Sequence, residues 1–198
     1  MIKAIIFDID EMIVAREMYF SERLAIDYGV SLDKILSFFN NEFQRCLVGR
    51  ADLKQEIVKY LPQWGWDKSV DDLLAYWFSH ENKKDERILA SVKNLQSKGI
   101  KCYLATNNEK YRAAYLFNDL GLAKLFNGAW AAPDFGYRKP QLEFWQALHD
   151  RIGQPTKNEV LVWDSHQDNV KSAREFGFQA ERYLDFGSYE NKIKTLMS

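Results

Sequence analysis

Apolar and polar positions follow two different rhythms along this chain. A short apolar run over residues 2–7 gives way at once to acids, the pattern of a buried strand. From residue 15 to about 85 no strand pattern occurs. Apolar residues recur there at helical spacing over residues 17–28, 32–43, 53–60 and 70–78, separated by turn residues at Gly29, around Gly49 and from Pro62 to Asp67. Aromatics crowd this stretch, among them Phe38, Phe39, Phe43, Trp64, Trp66 and Trp77, and they are expected to pack helix on helix. Beyond it the rhythms alternate. Helices are predicted over residues 85–98, 109–120, 141–152, 168–176 and from about 189 onward, with strands at 100–105, 128–131, 160–163 and 179–183. Alternating strands and helices imply an α/β fold, a parallel sheet with helices on both faces. The all-helical stretch lies inside that pattern. The expected organisation is therefore a core of residues 1–15 and 85–198 with a small helical cap, residues 16–84, inserted after the first strand.

In such sheets ligands bind beyond the carboxyl ends of the strands. Four polar clusters lie there. Asp8 and Asp10, two apart in an extended segment, fall on one side and repel unless a cation or a proton is shared. They could hold magnesium, act as nucleophile and general acid, or simply be solvated acids. Thr106 and Asn107 could hold phosphate oxygens or cap the next helix. Lys139, before Pro140, could neutralise a phosphate or the nucleophile, or lie in a surface turn. Asp164 could complete a metal site. Asp168, in the first turn of the following helix, could support that site, bind the ion itself, or only complement the helix dipole.

Composition narrows the partners. A net charge of −1 gives no electrostatic reason to expect nucleic acid or an anionic membrane. No run approaches the ~18 apolar residues of a membrane helix. The first strand starts at the second residue and carries acids early, so no leader is expected and the cytoplasm is the expected location. Two cysteines, Cys46 and Cys102, are too few for a disulfide framework. A monomer or weak homodimer is expected.

The four clusters, in this order, resemble the motifs of the haloacid dehalogenase (HAD) superfamily: Ile5-Ile6-Phe7-Asp8-Ile9-Asp10, then Thr106-Asn107, then Gly136-x-x-Lys139-Pro140, then Asp164-Ser165-x-x-Asp168-Asn169. The helical insert looks like the C1 cap of subclass I, and the chain resembles sugar-phosphate phosphatases of that subclass. The resemblance implies a Rossmann-like core and a magnesium-dependent phosphatase of a small phosphorylated metabolite, working through an aspartyl-phosphate intermediate. Asp8 would be nucleophile and metal ligand, and Asp10 the general acid/base with its carbonyl on the metal. Thr106 and backbone near Asn107 would bind the phosphoryl group. Lys139 would hold Asp8 and the phosphoryl charge, and Asp164, with Asp168, would serve the metal. Metal-independent dehalogenases of the superfamily lack the second acid, so Asp10 argues against that branch. A phosphomutase would share both acids, and a non-catalytic binding protein could keep the fold.

Three positions depart from the family pattern. Glu11 stands where Gly is usual, and Met12 where Thr or Val is usual. The fourth motif fits two registers. In one, Trp163 replaces the usual Gly or Asp. In the other, favoured by the spacing to Ala173 and Gly177, Ser165 replaces an acid that usually binds the metal. Arg45 and Arg50 flank Gly49 in the cap and could reach an anionic substrate or be solvated.

Overall fold

A computed structural model of the chain describes residues 1–197. Seven strands occur among them: β1 Ala4–Phe7, β2 Val14–Ala15, β3 Lys83–Lys84, β4 Lys101–Thr106, β5 Ala129–Ala131, β6 Val160–Asp164 and β7 Gln179–Arg182. Five form one parallel sheet in the order β5-β4-β1-β6-β7, and β1 pairs with β4 on one side and β6 on the other. β1 is thus the point where the strand order reverses, and the crevice beyond its carboxyl end is the expected ligand position.

The α-helices are α1 Phe20–Tyr28, α2 Leu32–Asn40, α3 Glu42–Cys46, α4 Leu53–Ile57, α5 Val70–His80, α6 Glu86–Ser97, α7 Lys110–Ala114, α8 Leu142–Arg151, α9 Gln167–Phe176 and α10 Phe186–Met197. Side chains of β1 alternate between two apolar layers. Ile5 and Phe7 pack with α6 (Ile88, Val92) and α10 (Tyr189), while Ala4 and Ile6 pack with α8 (Phe144, Trp145) and α9 (Val170, Ala173). A third apolar cluster, centred on Phe38, Trp64 and Leu73, draws its buried residues from positions 20–78, with Tyr111 and Tyr115 packed against it, so the inserted helices have a core of their own. Trp64 is fully buried and Trp66 nearly so, as expected of packing aromatics.

Several boundaries differ from expectation, each for a local reason. The first cap helix begins at Phe20 rather than at residue 17, where the Tyr19 N–H donates to Glu22 Oε2 at 3.1 Å. The stretch 32–43 breaks at Asn41, whose φ of −117° and ψ of −91° leave the helical region. Instead of one helix over residues 109–120, α7 passes into a π turn over Tyr115–Asp119, closed by the Leu120 N–H on Tyr115 O at 2.9 Å. Strands also occur where none is expected. β2 and β3 pair antiparallel, Val14 with Lys84 and Ala15 with Lys83, and so bind the two ends of the cap together. Among the described residues no helix is long and apolar enough to cross a membrane.

Candidate active site

The four polar clusters meet at the carboxyl edge of the sheet. β1 and β6 run parallel, Phe7 beside Trp163, so Asp8 and Asp164 leave the sheet next to each other. Both are buried. Lys139 lies between them, its Nζ 2.6 Å from Asp8 Oδ1 and 2.7 Å from Asp164 Oδ2. Its backbone is fixed from both sides: Asn107 Oδ1 accepts the Lys139 N–H at 2.9 Å, and Ser172 Oγ donates to the Lys139 carbonyl at 2.6 Å. Trp145 Nε1 in turn donates to Ser172 Oγ at 2.7 Å. The ammonium therefore sits on a rigid mount.

The buried charges set each other's protonation. Burial first, then the Asp164 charge, pushes the Asp8 carboxyl up to about 7, against the opposing pull of Lys139. Burial works to lower Lys139, but the charges of Asp164 and Asp8 together outweigh it and hold the ammonium above the ordinary lysine range. Lys139 is consequently a permanent cation at neutral pH.

Asp8 Oδ1 accepts the Ile9 N–H at 2.8 Å as well as the Lys139 bond. Its other oxygen, Oδ2, faces Ser165 Oγ at 3.4 Å, and the same hydroxyl lies 3.5 Å from the Asp10 carbonyl oxygen. Those separations are long for O–H···O bonds, and the closer partner of the Ser165 hydroxyl is His166 Nδ1 at 2.9 Å. Asp164 is more fully engaged. Its Oδ1 accepts the His166 N–H and the Asn169 side-chain amide, both at 2.9 Å, while Oδ2 takes Lys139. Asp8, Asp164 and His166 present oxygens and a nitrogen close enough together to hold a metal ion. Asp168 is exposed and lines the cavity from the first turn of α9, outside that group.

Asp10 is half-buried at the rim. Its Oδ2 accepts the Asn108 amide at 2.6 Å, and Arg112 Nη2 lies 3.9 Å from Oδ1. Thr106 Oγ1 accepts from the Asn108 backbone N–H at 3.2 Å and side-chain amide at 2.8 Å, which leaves its own proton free for a ligand. Neither Thr106 nor Asn107 caps α7. Glu109 does, accepting the Tyr111 and Arg112 N–H groups, because the chain runs on past the site before it turns helical.

A cavity of about 240 Å³ opens over these groups. Asp8, Asp10, Thr106, Asn107 and Lys139 line it, joined by Arg16, Arg138 and His166, none of which is a candidate from sequence. Arg138 adjoins Lys139 and Arg16 follows the acid pair closely, so proximity to a motif is the signal that could have found them. Arg45 and Arg50 do not line the cavity. Two further charged groups lie buried behind it. Glu81 accepts the Phe20 N–H at 2.9 Å, and Arg112 donates to the Phe78 and Glu81 carbonyls. No local pattern marks either, since each is defined by partners distant in sequence.

Glu11 has a φ of +65°, the left-handed conformation that glycine adopts without cost. The family's usual Gly at this position thus has a backbone reason. Here Glu11 Oε1 instead accepts from Arg16 Nη2 at 3.1 Å and from the Tyr19 hydroxyl at 3.2 Å, so its side chain anchors Arg16 at the cavity wall. Met12 is buried in the core layer beneath β1.

Residues 2–177 match the haloacid dehalogenase-like hydrolase family. The chain belongs to that family. No curated protein sequence matches it. Among solved structures, this HAD hydrolase is similar to a HAD family enzyme of Bacteroides thetaiotaomicron in complex with magnesium and inorganic phosphate, with 16% identity over 96% of this chain and 99% of that one and a TM-score of 0.79. A HAD-like family hydrolase from Porphyromonas gingivalis is 17% identical over 100% and 98% of the two chains, with a TM-score of 0.80. The L-2-haloacid dehalogenase of Xanthobacter autotrophicus with chloropropionic acid covalently bound is 18% identical over 98% and 83%, with a TM-score of 0.67. At these identities the likenesses establish the fold alone.

Proposed function

We propose that this HAD hydrolase is a magnesium-dependent phosphatase that cleaves a small phosphorylated metabolite through an aspartyl-phosphate on Asp8. The observation that carries this reading is the pair formed by Asp8 and Asp10. The first is buried against a fixed cation, and the second is at the rim of the same cavity, held by Asn108. A halide leaving group needs no proton and a phosphate ester's alcohol does, so a second acid beside the nucleophile favours the ester.

In the reaction Asp8 attacks phosphorus and the bond to the substrate oxygen breaks. Asp10 supplies the proton that the leaving alcohol takes up. The Thr106 hydroxyl and the Lys139 ammonium meet the phosphoryl oxygens where charge accumulates. Asp10, now a base, takes a proton from water as it attacks the phosphorus and frees Asp8 and inorganic phosphate. Arg16 and Arg138 on the cavity wall favour a dianionic substrate.

Asp8 Oδ2, the Asp10 carbonyl and the Ser165 hydroxyl would hold the magnesium ion. All three are oxygen donors, the kind a small hard cation prefers, and Ser165 Oγ lies 3.4 Å from Asp8 Oδ2 and 3.5 Å from the Asp10 carbonyl oxygen. When bound, the ion would neutralise charge on the nucleophile and the phosphoryl group. Asp164, the other acid of the cluster, has both oxygens committed to Lys139, the His166 N–H and Asn169, so Asp8 would be the one anionic donor and binding is expected to be weak. Ser165→Asp should tighten magnesium binding by at least about tenfold in calorimetry, without any substrate present. Because Asp8 is pushed up to about 7, magnesium must displace its proton below that pH, and affinity for the unmodified protein should rise from pH 6 to pH 8. Unchanged affinity in Ser165→Asp would remove Ser165 from the ligand set.

The functional test is hydrolysis of a generic aryl phosphate, expected with magnesium and abolished by EDTA. Metal-independent release of halide from a 2-haloacid, with no phosphate release, would replace this reading with dehalogenation.

A further inference from the structure

A second cavity, of about 270 Å³, lies between cap and core beside the first. Arg16 is a wall of both cavities. Asn108, which lines the second, donates to both Asp10 and Thr106 in the first. The second cavity therefore begins on the side of the proposed general acid, where the bond to the leaving group would break.

Its lining is chiefly apolar and comes from the cap. Phe20, Leu36, Phe39, Phe43, Leu47 and Trp77 form most of it. The rings are locked against each other. Phe20 stacks on Trp77 with centroids 4.7 Å apart, and Phe39 meets Trp77 edge-on at 5.5 Å and Phe43 at 5.0 Å. The polar groups at its edge are largely committed elsewhere. Glu81 takes the Phe20 N–H, the Tyr19 hydroxyl donates to Glu11, Arg16 pairs with Glu11 and Glu81, and the Asn108 amide is held by Asp10 and Thr106. Among the described residues Ser21 supplies the one lining hydroxyl not engaged in this way. Such a wall offers a flat apolar surface and few free partners for hydroxyl groups. A polyhydroxylated leaving group would lose water there without replacing its hydrogen bonds, a cost that an aromatic one avoids.

We infer that this cavity is the leaving-group pocket and that it takes an aromatic alcohol, so that the substrate is an aryl or arylalkyl monophosphate rather than a sugar phosphate. The inference rests on the proposed phosphatase reading. Its volume suits one fused or substituted ring, Arg16 marks the junction with the phosphate, and cap closure over the ring would exclude water from the phosphoryl group.

Two arms test it. In the kinetic arm, the intact protein with magnesium is given 2-naphthyl phosphate, glycerol 3-phosphate and acetyl phosphate. Naphthyl phosphate is expected to be preferred over glycerol phosphate by at least about tenfold in kcat/KM, mostly through KM. Phe39→Ser and Leu36→Gln, both at half-buried positions, should each reduce that preference by about tenfold, with a larger loss on naphthyl phosphate than on acetyl phosphate. Preference for glycerol phosphate, or an equal loss on all three substrates, overturns the inference. In the binding arm, 2-naphthol is titrated by calorimetry in the absence of catalysis. Saturable binding weakened in Phe39→Ser supports the pocket, and no binding, or binding unchanged by both variants, overturns it. Should no phosphomonoester be hydrolysed, the phosphatase reading fails and the binding arm alone still decides whether the pocket takes an aromatic ring.

Discussion

Asp8→Asn is expected to lower phosphatase turnover by at least about 10³-fold while leaving the protein folded. The asparagine would keep the size of the side chain and one oxygen to accept the Ile9 N–H and the Lys139 bond. It would lose the charge and the nucleophilic oxygen. The sign of the stability change separates this loss from misfolding. Burial and Asp164 raise the Asp8 carboxyl to about 7 from an ordinary 3.8, so the folded state binds a proton that the unfolded state has already released between those values. The ionised group thus weakens the fold increasingly as pH rises through that window. Removing it should leave stability at pH 8 unchanged or higher. Urea unfolding at pH 8 alongside phosphate release reads both. Residual turnover near that of the unmodified protein would remove Asp8 as nucleophile, and a large loss of stability would assign Asp8 a structural role instead.

Lys139→Ala should have the largest effect on stability. The ammonium is the cation bonded to both Asp8 and Asp164, and without it two buried carboxylates face each other. Breaking a buried pair by removing one partner costs about 3–5 kcal/mol. The cost depends on pH in a definite direction. At pH 5 Asp8 holds a proton and the repulsion falls, whereas at pH 8, above its value of about 7, Asp8 ionises and the repulsion grows. The gap between variant and parent in urea should therefore be wider at pH 8 than at pH 5. Lys139 itself, held above its ordinary value of 10.5, contributes fully throughout this range and would lose its contribution only in strong alkali. Equal stability of the two proteins at pH 8, or a wider gap at pH 5, would show that Lys139 is not the compensating charge.

The parts of this molecule that repeat a periodic signal were legible in the sequence. Four strands of the main sheet, β1, β4, β5 and β6, are mainly apolar runs, whereas β7 is Gln179–Arg182 with only Ala180 buried, and the polar residues that follow β1, β4 and β6 converge because parallel strands deliver their carboxyl ends to one edge. Features made by single long-range contacts were not legible. β3 is Lys83–Lys84, with no apolar residue to announce a strand, and it exists because Val14 and Ala15 lie opposite. Arg112 occupies a helical position that suggests an exposed cation, yet it is buried between Asp10, Glu81 and the end of α5. Arg16 becomes a wall of the cavity through Glu11, Tyr19 and Glu81. The π turn after α7 was hidden because Tyr115, Leu116 and Leu120 keep a helical spacing of apolar residues through the change of pitch. Helical periodicity reports which face is buried, and it is insensitive to one extra residue in a turn.

The pairing of β2 with β3 also bears on the order in which the chain assembles. β1 must find β4 across the whole length of the cap, and closing a long flexible loop is slow and entropically costly. Cap contacts among α1–α5 are near in sequence and can form first. Once they do, the Val14–Lys84 ladder leaves the two interrupted pieces of the core one strand spacing apart, about 5 Å. The effective loop then shrinks severalfold, which lowers the closure cost by about 1 kcal/mol. The segment that divides the core thus acts as the clasp that helps its halves to meet.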